Sequence, residues 1–274
     1  MELGVMLHLV DENIDDKFKR VKEHGFEWCQ ICCWNHSLMT EEIAQKIDAA
    51  RDKYNIKVST FWCGYSGKVY WNFYEGQNTL GIVPLEYREM RCNELCHGSD
   101  FAKRLGIDQI ATHMGYLYEN PMCEDYPKLI DAIRGIANHC KANGQKLLFE
   151  TGQETPVTLR RVIEDVGTGN LGINLDPANL ILYGKGNPID ALDVFGNYVC
   201  DIHAKDGEYP TNGRNLGKET VVGKGKVNFP KFIEKLKEIG YDRTLIIERE
   251  ISGEQQIKDI NCTKIYLEEL IGLR

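Results

Sequence analysis

The chain has 274 residues, 42% of them hydrophobic and 27% charged, proportions ordinary for a globular domain with a sizeable core. Its formal net charge of −8 argues against a nucleic-acid backbone as the main partner, because Lys and Arg drive that kind of binding. No segment reaches the roughly 20 apolar residues of a membrane span, and MELGVMLHLVDENIDD turns acidic at once, unlike a signal peptide. The ten cysteines are accordingly expected to be reduced thiols of a cytoplasmic protein. Cys29 and Cys32 form a CxxC, but it lies in an apolar run with no second pair at finger spacing. Those thiols are read as small buried groups instead of a zinc or redox site.

Apolar runs of strand length alternate with amphipathic helical stretches. ELGVMLHLV (2–10) reads as a strand, followed by a helical stretch ending near His24 and Gly25. FEWCQICCW (26–34) is the second strand, and Thr40 then caps EEIAQKIDAARDKY, whose first turn is acidic as the helix dipole prefers. IKVSTFWC (56–63) is the third strand, and a long stretch to about Leu85 precedes the helix LEYREMRCNELCHGSDFAKRL. IDQIATHM (107–114) leads to a helix over 125–142, and KLLFETG (146–152) to one over 156–166. NLGINLD (170–176) precedes a short helix near 188–196, and YVCDIHAKD (198–206) precedes a long loop and the helix FPKFIEKLKEIG. RTLIIEREI (243–251) leads to a C-terminal helix over 255–271. This alternation implies parallel strands joined by helices. Eight such pairs favour a closed α/β barrel, (β/α)₈, as a single domain over 1–274. No GxGxxG follows the first strand, so nothing supports a dinucleotide-binding fold.

In such barrels the working groups stand at the carboxyl ends of the strands. Those ends carry Glu150 in LLFETG, Asp176 in INLDPAN, His203 in DIHAKD and Glu248 in LIIERE. Three carboxylates and one imidazole on four consecutive strands suit one divalent metal, Mn²⁺ first, with Mg²⁺, Co²⁺ or Zn²⁺ as alternatives. Taken singly, Asp176 before Pro177 could merely cap a helix, and His203 could be a hydrogen-bonded core histidine. Glu150 and Glu248, however, each follow strongly apolar residues, where an unpaired acid would be costly to bury.

The segments FETGQETP, NLDPANLILYGKGNPIDAL, DIHAKDG, VVGKGKVNFPKFIEKLKEIGY and LIIERE resemble the xylose-isomerase-like sugar phosphate isomerase/epimerase superfamily of TIM barrels. Its branches include ketose 3-epimerases, hydroxypyruvate isomerase, inosose dehydratase and endonuclease IV. The resemblance spans about residues 107–251, and the first hundred residues share only the rhythm. It implies that Glu150, Asp176, His203 and Glu248 are metal ligands. It also implies that Glu150 and Glu248 are the acid/base pair on opposite faces of a bound sugar. Epimerases commonly have His three residues after the ligand Asp; Asn179 stands there here and cannot carry a proton.

The chemistry that uses such a pair is removal of a hydrogen beside a carbonyl, with the resulting anion stabilised by the metal and the proton returned by a carboxylate. The expected activity is a divalent-metal-dependent sugar isomerase or epimerase. An inosose-type dehydratase is the nearest alternative, ahead of an endonuclease IV-like phosphodiesterase or a non-catalytic sugar-binding barrel. Substrate contacts are expected from His113, Asn179, Glu154, Lys205, Trp62 and His8. For Glu154 a helix cap is the alternative, and for Lys205 plain solvation. FWCGYSGKVYWNFYEG (61–76) is expected to roof the pocket, with a contact in a homo-oligomer as its alternative. VVGKGKVNF (221–229) occupies a place where barrels often hold phosphate on backbone N–H groups. The expected partner is a small-molecule carbohydrate, phosphorylated or not, with neither nucleic acid nor membrane involved.

Overall fold

Each apolar run becomes a strand only over its central residues, where parallel neighbours supply hydrogen bonds. The computed structural model describes residues 1–273, and Arg274 of the expected 1–274 domain lies outside them. In chain order the strands are β1 (Glu2–His8), β2 (Trp28–Cys33), β3 (Lys57–Cys63), β4 (Gln109–Thr112), β5 (Lys146–Glu150), β6 (Leu171–Leu175), β7 (Val199–Ala204), β8 (Asp206–Glu208), β9 (Lys218–Thr220) and β10 (Thr244–Ile247). Among the described residues, all but β8 and β9 close one parallel barrel in the order β1-β10-β7-β6-β5-β4-β3-β2. Glu2 pairs with Thr244 to seal it. The barrel is the expected (β/α)₈ architecture. β8 and β9 form a separate antiparallel hairpin in the loop after β7, which periodicity did not announce.

The helices are α1 (Ile14–Glu23), α2 (Glu41–Tyr54), α3 (Gly76–Thr79), α4 (Leu85–Arg104), α5 (Tyr126–Ala142), α6 (Pro156–Val166), α7 (Pro177–Leu182), α8 (Pro188–Phe195), α9 (Phe229–Glu238) and α10 (Glu254–Ile271). Local chemistry sets their ends. Thr40 caps α2 by accepting from Ile43 N–H, and Asn55 ends it in the left-handed conformation at φ 51°. Thr155 caps α6 ahead of Pro156, and Gly167 at φ 66° ends it. The short α7 was not expected: all six of its residues are buried, so PANLIL shows no polar face from which to read a helical period.

The strands are buried on both faces, as parallel strands under a helical shell must be; β6 and β7 are buried throughout. The barrel interior nevertheless holds a charge. Asp201, fully buried, accepts from Ser59 Oγ and Thr60 Oγ1 at 2.7 Å, Gln30 Nε2 at 3.0 Å and Thr244 Oγ1 at 2.6 Å. Those four donors offset the penalty of burying an ion. Cys29, Cys32 and Cys33 are buried free thiols, as expected, and burial pushes Cys29 up to about 12.

Candidate metal centre

The strand ends converge. One ligand atom each from Glu150, Asp176, His203 and Glu248 lies within 4.8 Å of the others. Glu150 ends β5, Asp176 follows β6, His203 sits in β7, and Glu248 follows β10. His203 Nδ1 is 3.4 Å from Glu150, 3.9 Å from Asp176 and 3.1 Å from Glu248. All are buried except Glu248, whose side chain is 12% exposed and opens to the cavity.

Asp176 does cap α7, since its Oδ1 accepts from Asn179 N–H at 2.9 Å. The cap uses one oxygen only. Oδ2 and His203 Nδ1 are buried without a hydrogen-bond partner among the described residues. Asp176 Oδ2 has only the ion pair with Lys205 at 3.4 Å, and His203 Nδ1 only the neighbouring carboxylates, so a divalent cation would satisfy both atoms together with the two glutamates. The donor set of carboxylate oxygens and one imidazole fits Mn²⁺ or Mg²⁺.

The electrostatics agree with a site built to hold positive charge. Burial alone would push the Glu150 carboxyl up, but His113 and His203 beside it hold it well below the usual carboxylate range. Burial is likewise outweighed at Glu248, where Lys205 and His203 bring the carboxyl down to about 2. Glu150 is further gripped by Trp62 Nε1–H, by His113 Nε2 at 3.2 Å and by Asn179 Nδ2 at 3.2 Å.

A cavity of about 580 Å³ lies over these groups, lined by His8, Trp62, His113, Glu150, Asn179 and Glu248 among others. The stretch 61–76 stands at this carboxyl end, with Trp62 and Trp71 in the lining. An aromatic tier follows: Trp34 lies 5.1 Å from Trp62, and Trp71 lies 5.0 Å from the His113 ring.

For Lys205 and Glu154 the alternatives to a substrate contact do not hold. Lys205 is not a solvated lysine: it is 1% exposed and ion-paired with Asp176 and Glu248 at 3.4 Å and with Glu250 at 2.9 Å. Glu154 does not cap α6, because Thr155 does. It is 3% exposed, outside the cavity lining, and burial pushes its carboxyl up to about 7. Sequence reasoning also missed Gln30, which receives His203 Nε2–H at 2.8 Å, and Gln153, Tyr183 and Glu250 in the cavity wall. Gln30 and Asp201 did carry a signal: each is a polar residue inside an apolar strand and must find a partner.

The chain belongs to the xylose isomerase-like TIM barrel family, whose model matches residues 18–266. That match also takes in most of the first hundred residues, where the motifs were silent. The crystal structure of a xylose isomerase domain protein from Planctomyces limnophilus is 35% identical, with a TM-score of 0.93 over 98% of this chain and 96% of that one. A D-tagatose 3-epimerase-like protein shares the fold at 22% identity and a TM-score of 0.76, covering 100% of this chain and 98% of that one. An inosose dehydratase of Lacticaseibacillus casei is 23% identical over 146 residues, which are 46% of this chain and 48% of that protein. No helix among the described residues is long and apolar enough to cross a membrane.

Proposed function

We propose that this protein is a divalent-metal-dependent isomerase or epimerase that moves a proton beside the carbonyl of a sugar or related polyol-ketone. The observation that carries the reading is the quartet Glu150, Asp176, His203 and Glu248, with ligand atoms within 4.8 Å of one another beneath an aromatic-lined cavity. The similarity to a D-tagatose 3-epimerase-like protein supports the fold on which such chemistry would run.

Each residue then has a part. Glu150, Asp176, Glu248 and His203 Nδ1 would hold the ion, Mn²⁺ first. When bound, that ion supplies the positive charge that stabilises the anion left by removal of the proton. Glu150 and Glu248, on β5 and after β10, take the proton on one face of the sugar and return it on the same or the other. Trp62, His113 and Asn179 fix the plane of the Glu150 carboxylate. The aromatic tier covers the apolar CH face of the sugar and keeps water out.

A second reading, a dehydratase that loses hydroxide after the same proton removal, is favoured by the partial similarity to inosose dehydratase. One experiment tests both. The metal-loaded protein is incubated in D₂O with a panel of sugars and inososes and followed by NMR. Deuterium entering beside the carbonyl with the carbon skeleton and hydroxyls intact supports the first reading, and elimination of water supports the second. No exchange across the panel, with one metal bound per chain, refutes both.

A further inference from the structure

The glycine-rich segment 221–229 occupies a place where barrels often hold phosphate, and its backbone is already committed. Gly223 and Gly225 donate their N–H groups to Asp206 Oδ2 at 2.9 and 3.0 Å. Val227 and Gly207 donate theirs to Oδ1 at 3.0 and 2.8 Å. Asp206 is fully buried. A Cβ at Gly225 would stand 2.2 Å from Asp206 Oδ1, so glycine there lets the loop wrap the chain's own carboxylate. The anion this nest receives is internal.

The cations near the cavity are committed as well. Arg249, in the lining, spends one arm on Glu219 and another on Asp259, both at 2.8 Å. Lys205 faces Asp176, Glu248 and Glu250, and Lys185 pairs with Glu119 at 3.3 Å. His113 pairs with Glu150, which leaves His8 as the other imidazole of the lining. What the wall offers besides is neutral: Asn179, Tyr183, Gln256 and Gln153. Gln153 is 1% exposed, and neither its amide oxygen nor its amide nitrogen has a hydrogen-bond partner among the described residues, an acceptor and a donor matched to a hydroxyl, which is both.

We infer that the substrate of this site is an uncharged sugar, without a terminal phosphate or carboxylate. Away from the metal centre, an anionic group would meet Glu250 and find the nearby cations already paired. The inference rests on the proton-transfer reading and adds the charge of the substrate to it. Arg214 is the cation to watch: exposed, outside the lining but two residues before Leu216, which is in it, with Nη1 3.5 Å from the Tyr74 hydroxyl.

The test compares wild type with Arg214→Ala at pH 8, above the ordinary imidazole range. Solvent-deuterium exchange is measured on free ketoses and on the same ketoses phosphorylated at the terminal carbon. In parallel, the melting temperature is followed while inorganic phosphate is titrated. The expected result is a kcat/KM at least about tenfold higher for a free sugar than for its phosphate ester, with no phosphate-dependent rise in melting temperature for either protein. Parity, preference for the ester, or a phosphate-dependent rise that Arg214→Ala abolishes overturns the inference. If no sugar of either kind exchanges, the proton-transfer reading has failed, and the phosphate titration still decides whether the cavity accepts an anion.

Discussion

Gln30 and His203 are locked in one relative orientation. Gln30 Nε2 is committed to Asp201 Oδ2 at 3.0 Å, so its Oε1 faces His203 and accepts from Nε2–H at 2.8 Å. His203 Nε2 also lies 3.0 Å from Asn174 Nδ2; in the tautomer with the proton on Nε2, that proton goes to Gln30 Oε1 and Nδ1 is left to a metal held with the carboxylates. Such partners orient a metal-binding imidazole, and removing one typically costs about 10–100-fold in metal affinity. Gln30→Leu is expected to weaken Mn²⁺ binding by that amount in calorimetric titration, with the far-UV circular dichroism unchanged. Wild-type affinity in a folded variant would show that the orientation is unimportant.

Glu150→Gln and Glu248→Gln keep the side-chain size and one oxygen donor while removing the base. A general base contributes about 10²–10⁴-fold, so each variant should lose at least about a hundredfold in kcat with metal still bound. Exchange rates equal to wild type at confirmed metal occupancy would refute the acid/base roles. Activity that falls only in step with lost metal would make both residues ligands alone.

How much of this was legible in the sequence depends on where the partners of each residue lie. The four strand-end groups could be read because each acid or imidazole interrupts an apolar run at an equivalent place in a repeating unit. Gln30 and Asp201 also interrupt apolar runs, but they are each other's partners across 171 residues, and nothing local names the pair. Helix α7 was hidden because every residue is buried. The glycine-rich loop was misleading in an instructive way. Its N–H groups do bind an anion, but that anion is Asp206, 17 to 21 residues earlier in the chain.

Beyond the aromatic stretch 61–76, the chain just before α4 is held by Arg88. Its guanidinium donates to the carbonyls of Ile82 and Val83 at 2.8 and 2.7 Å and to Asp125 Oδ2 at 2.5 Å. Arg88 holds the Asp125 carboxyl below its ordinary value. A carboxyl depressed on folding contributes stability above its unfolded value, and that contribution is lost as pH falls through the folded one. Asp125→Asn is therefore expected to destabilise the protein by about 1–3 kcal/mol near neutrality and to flatten the acid limb of stability against pH. Urea unfolding between pH 2 and pH 7 measures both, and parallel profiles for the two proteins would remove Asp125 from the account.

Asn179 joins the two sides of the centre. Its Nδ2 donates to Glu150 Oε1 at 3.2 Å, and its Oδ1 receives Lys205 Nζ at 3.5 Å. Asn179→Ala should leave metal affinity nearly unchanged, because the four ligand side chains remain. It should lower kcat/KM about tenfold, the size of one hydrogen bond to a charged group. Asn179→His tests something different. The side chain lines the cavity, so an imidazole there projects toward the sugar instead of into the packed barrel. It puts an ionisable donor in place of a neutral amide, while Glu150 keeps its contacts with Trp62 and His113. The expected outcome is a reordered preference across the sugar panel, with the exchange rate on the best wild-type sugar changed less than the ranking. An unchanged ranking with a uniformly lower rate would mean that Asn179 serves the proton-transfer step and does not choose the substrate.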